Sequence, residues 1–98
     1  MKYVLLRRVI IVDSDWDGIA KGETTLMVEN YDLEKVVDTV LPMVMEDEMY
    51  GNYTEEELRS EIFKDIATSG DWRSLGLYSR KPIAGLRIKV KFIIKMEE

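Results

Sequence analysis

The sequence predicts an α+β domain: a small antiparallel sheet of three to four strands packed against two helices, in the order β-β-α-α-(β)-β. Three observations carry this. Residues 86–96 alternate almost without fault between apolar and basic side chains, the period of a strand with one wet face. Thr54 is followed three residues later by Glu57, and then by Leu58, Ile62, Phe63 and Ile66, the pattern of a capped amphipathic helix. Leu33, Val36, Val37, Val40, Leu41 and Val44 repeat at helical spacing just upstream. A chain of 98 residues fits one compact domain over residues 1–98.

Lys2 to Val12 reads as the first strand, because Val, Ile, Leu and Tyr dominate it and turn formers end it. Both of its alternating sets are apolar, so it is expected at the centre of the sheet, covered on both faces for part of its length. Arg7 and Arg8 break the pattern and suggest a bulge or an exposed end. Asp13 to Gly22 is expected to be a loop, and Thr24 to Val28 a short second strand closing a hairpin.

The first helix begins near Asn30 or Asp32, either of which can cap it. Pro42 interrupts its stripe, and a proline costs about 3 kcal/mol in a helix interior. A kink near Val40, or a break at Pro42, is therefore expected, and the segment ends by Gly51. The second helix starts at Thr54, with Tyr53 and Leu58 as a hydrophobic staple, and stops at Ser69 and Gly70. Between Asp71 and Gly85 only Leu75 to Ser79 suggests a short strand, weakened by Gly76. The last strand runs from Leu86 to Met96.

The composition closes off much of enzyme chemistry. There is no cysteine and no histidine, so disulfides, thiol catalysis, thiolate zinc sites and the commonest general acid/base are all absent. A non-enzymatic protein is expected. No stretch approaches the roughly 20 apolar residues of a membrane span, and the N-terminus lacks the order of a secretory signal. A cytoplasmic location with no membrane association follows as the expectation.

The formal net charge is −5, but its distribution is uneven. Residues 23–69 carry thirteen acidic and three basic side chains, whereas residues 70–98 carry seven basic and three acidic. The acidic stretch holds Glu46, Asp47, Glu48, Glu56, Glu61 and Asp65, with Tyr50 and Tyr53 between the clusters. Glu55, Glu56 and Glu57 suit the positive end of the second helix. Glu46 to Glu48 fall near a helix C-terminus, where the dipole disfavours them. Such a patch either keeps the surface solvated or docks a protein partner with a basic surface.

Two other constellations bear on function. The basic stripe Arg87, Lys89, Lys91 and Lys95 could lie against phosphates, but its face offers no aromatic for base stacking. The acidic chain as a whole opposes binding to a polyanion, so nucleic acid is the less favoured partner. Asp13, Asp15, Asp17 and Gly18 match the opening of an EF-hand calcium loop, while its bidentate glutamate position falls on Thr24. A metal site at Asp13, Asp15 and Asp17 would bind calcium or magnesium weakly, and no other cofactor is expected. Val9 to Asp15, an apolar run ending in two aspartates two residues apart, also resembles the start of the haloacid-dehalogenase-type phosphatases. That resemblance implies a nucleophilic Asp13 and an acid/base Asp15 with magnesium. This chain has neither the length nor the βαβ order of that family. Trp16 and Trp72 are expected in loops, as anchors over the core or as interface residues.

Three function classes stand at this point. The first is a small acidic protein-binding or regulatory module using residues 46–65. In style it resembles phage and mobile-element inhibitors, of the anti-CRISPR kind, that mimic nucleic acid to block a host protein. The second is a metal-binding module, and the third is a nucleic-acid binder using the basic strand.

Overall fold

The computed structural model describes the backbone of residues 1–13, 19–78 and 86–98, and within these all side chains except those of residues 12, 13, 19–21, 78 and 86. Strand β1 (Lys2–Asp13) and strand β2 (Ile19–Asn30) form an antiparallel hairpin. Helix α1 (Leu33–Met45), a 3-10 turn (Glu48–Tyr50) and helix α2 (Glu55–Ser69) follow. The chain then returns to the sheet through β3 (Asp71–Arg73), β4 (Leu77–Tyr78) and β5 (Leu86–Glu97). All pairings are antiparallel, in the order β2-β1-β5-β3, with β4 also on β5. The α+β class and the two-helix layer stand as the sequence predicts.

Strand β1 is central, as its doubly apolar pattern predicts, and the neighbours Val4 and Leu5 are both buried. Arg7 and Arg8 are exposed. The nearest irregularity lies between the Leu5 and Leu6 pairings, where β2 spends the extra residue Met27. Strand β2 is longer than Thr24 to Val28. Ile19 to Gly22, expected in a loop, pair with β1, because a long hydrogen-bonding partner carries the ladder through Ala20, Lys21 and Gly22, residues of low strand propensity.

Asp32 caps α1 by accepting from the Glu34 amide at 3.0 Å, and Asn30 in turn accepts from the Asp32 amide at 2.8 Å. The helix passes through Pro42 without the expected break. Val36, Val37, Val40, Leu41 and Val44 are all buried on both sides of it. At roughly 1.5–3 kcal/mol each, their burial outweighs the single lost helical bond. Proline itself is exposed. Thr54 and Glu57 form the reciprocal capping box of α2, at 3.1 and 3.4 Å. Gly70 closes that helix in the left-handed region, at φ 81°.

β3 and β4 lie end to end along one edge of β5. Ser74 bridges them: its amide donates to the Phe92 carbonyl at 2.9 Å, and its hydroxyl accepts from the Phe92 amide at 2.8 Å. Gly76 leaves room for the Lys89 stem, since a Cβ there would lie 2.6 Å from Lys89 Cε. The expected strand over Leu75 to Ser79 is thus confined, among the described residues, to Leu77 and Tyr78, and β3 is additional. The core lies between the helices and one sheet face, where Leu5, Ile94, Phe92 and Trp72 meet Val40, Leu58 and Ile62.

Candidate protein-docking surface

Helix α1, the 3-10 turn and α2 form the layer that carries most of the acid. Residues 32–70 hold eleven acidic side chains and three basic ones. Arg59 is already engaged by two of the acids, Asp38 on α1 and Glu55 one turn back. This pairing joins the two helices at the surface and holds the guanidinium above its usual pKa.

The structure sorts the residues expected to dock a partner. Glu46, Glu48 and Glu56 are exposed, and Asp47, Tyr53, Glu61 and Asp65 are half-buried. Tyr50 is a correction. It is only 3% exposed and belongs to the core, so it cannot anchor a partner from the surface. Its hydroxyl accepts a hydrogen bond from the Leu75 amide at 2.7 Å. Burial raises its pKa, the Leu75 bond opposes this, and Glu61, Tyr53 and Asp47 add smaller upward pushes. Tyr53 packs beside the Tyr50 ring, with centroids 5.4 Å apart and planes at 54°.

Asp47 also has a local reason to be where it is. Its carboxylate accepts from the Met49 amide at 2.8 Å and caps the 3-10 turn. The sequence reading saw only the unfavourable end of α1 and missed this second start. Met49 and Leu75 are exposed apolar side chains, on the 3-10 turn and just beyond β3. They are the apolar groups that sequence reasoning missed, for neither stands in a recognisable pattern. Trp72 is buried at 3% in β3, the anchoring role rather than the interface one.

The basic residues Arg87, Lys89, Lys91 and Lys95 lie along β5 on the sheet face turned away from the helices, because Phe92 and Ile94 between them are buried in the core. The acidic cluster of residues 46–65 and the basic stripe of β5 therefore occupy opposite layers, with Glu29 and Asp71 sharing the basic face. The metal reading lies outside what is described, since Asp13 closes β1 with its side chain undescribed, and Asp15 and Asp17, like Trp16, fall outside the described residues. Among the described residues no three acidic side chains are arranged to hold a metal ion. No helix among them is long and apolar enough to cross a membrane. An open pocket near the chain ends is lined by Met1, Lys2, Tyr31, Glu97 and Glu98 and has no buried polar group directed into it.

No protein-family model matches the chain, and no curated protein and no solved structure matches it.

Proposed function

We propose that this protein is a non-enzymatic binding module whose acidic helical layer docks the basic surface of a protein partner. The supporting observation is the segregation of charge. The acids of residues 32–70 sit in the helical layer, while the basic stripe of β5 faces the other way. A layer of one sign speeds encounter with an oppositely charged partner and rejects others, and its effect falls with salt. Glu46, Glu48 and Glu56 are the exposed charges of this surface, with Glu61, Asp65 and Tyr53 half-buried beside them. The exposed Met49 gives the apolar contact that pure charge lacks. A partner that normally holds a polyanion on its basic surface would be inhibited by this contact, in the manner of a phage or mobile-element inhibitor.

The test compares the wild type with Glu46→Gln/Glu48→Gln/Glu56→Gln as bait for proteins in a nuclease-treated lysate. Asp47 and Glu57 stay unchanged because they cap. The reading expects partners held by the wild type to be lost by the variant. Equal retention by both proteins refutes it.

A further inference from the structure

The open face of the sheet carries a feature that its sequence hides. In the β1–β5 register Arg8 stands directly opposite Lys91, with Ile10 opposite Lys89 and Val12 opposite Arg87. Paired residues of antiparallel strands share a face, so Arg8 joins the β5 stripe. Like charges placed directly opposite are destabilising. No salt bridge reaches Arg8 or Lys91 among the described residues. The ion pairs of this face, Lys2–Glu29 at 3.1 Å and Arg73–Asp71 at 3.3 Å, sit at its other end. Leu6, Ile10 and Ile93 between the cations are half-buried, which leaves the charged heads outermost.

We infer that this face, centred on Arg8 and Lys91 with Arg87 and Lys89, takes the phosphate backbone of a nucleic-acid duplex without reading its bases. The whole-chain charge argues against a polyanion only if charge is spread evenly, and here eleven of the nineteen acids belong to residues 32–70 in the opposite layer, while Glu29, Asp71 and Glu97 lie at the far end of this face. Charge complementarity selects phosphate; β1 and β5 place no aromatic on this face, and the single aromatic position that the register adds among the described residues, Tyr78 opposite Lys89, does not make a platform for the successive bases of a single strand. From Arg87 to Lys91 the stripe spans about 14 Å at roughly 3.4 Å per residue, a reach of about four base pairs. The inference uses the face opposite the docking surface proposed above, so the two fail independently.

Fluorescence anisotropy of a labelled duplex of about 20 base pairs tests it. Four phosphate contacts give a log–log salt slope of about −3.6, so binding should weaken roughly 150-fold between about 50 and 200 mM salt. Arg8→Gln/Lys91→Gln should halve that slope and weaken binding at least about tenfold at 50 mM. This variant relieves a like-charge pair, and its thermal midpoint, measured alongside, should not fall. Glu46→Gln/Glu48→Gln/Glu56→Gln should bind the duplex at least as well as the wild type. No binding at about 50 mM salt and 100 µM protein, where four neutralised phosphates should be detectable, overturns the inference. So does unchanged binding by the double variant, or a polyglutamate peptide binding as tightly as the duplex, which would assign the face to an acidic protein.

Discussion

The Tyr50 hydroxyl accepts the Leu75 amide at 2.7 Å, and this one bond ties the turn between the helices to the edge of the sheet. The tyrosine is buried and the amide is partly so. Tyr50→Phe keeps the ring but leaves the amide unpaired, and should cost about 1–3 kcal/mol in urea unfolding. A value near zero would mean that water replaces the hydroxyl.

The same residue gives a pH dependence. Burial, the largest influence, raises the Tyr50 pKa above its ordinary 10.0. Its contribution is fully present below about pH 10 and is lost as pH rises through the higher folded value, because the unfolded chain releases the proton first. The wild type should therefore lose stability faster than Tyr50→Phe above about pH 10. Parallel stability curves for the two proteins from neutral to alkaline pH would contradict this.

Local signals made much of this fold legible. The capping box of Thr54 and Glu57 lies within four residues, and the β5 alternation lies within one strand. What the sequence concealed is non-local. β3 is three residues long and exists because Trp72 pairs opposite Ile94. Ile19 to Gly22 become strand because β1 supplies their partners. The acidic layer was readable as composition, but Tyr50 reads as a surface anchor until the fold packs its ring into the core and ties its hydroxyl to the Leu75 amide. Arg8 joins Lys91 only through the register.

Thr54→Ala should cost about 1 kcal/mol, since the hydroxyl satisfies the Glu57 amide at 3.1 Å. Thermal unfolding monitored by circular dichroism checks this, and an unchanged midpoint would show that the capping box contributes nothing.

Asp47 separates capping from charge. Asp47→Asn keeps an acceptor for the Met49 amide and should leave stability within about 0.5 kcal/mol, whereas Asp47→Ala should lose about 1 kcal/mol. Equal losses in chemical denaturation would locate its role in the charge instead.

Ser74→Ala removes the hydroxyl that receives the buried Phe92 amide at 2.8 Å. A loss of about 1–3 kcal/mol is expected, with faster hydrogen exchange at Phe92. Exchange at Phe92 unchanged from the wild type would mean that the β3–β4 edge holds without the serine.

The acidic layer as a docking surface is tested most directly by salt and charge together. Wild type and Glu46→Gln/Glu48→Gln/Glu56→Gln are used to capture proteins from nuclease-treated lysate at about 50 and 300 mM salt, a range over which screening of exposed charge strengthens. The expected result is a protein retained by the wild type at low salt, lost at high salt, and not retained by the triple variant at either. A partner held equally by both proteins and at both salt concentrations would show that these carboxylates only solvate the surface.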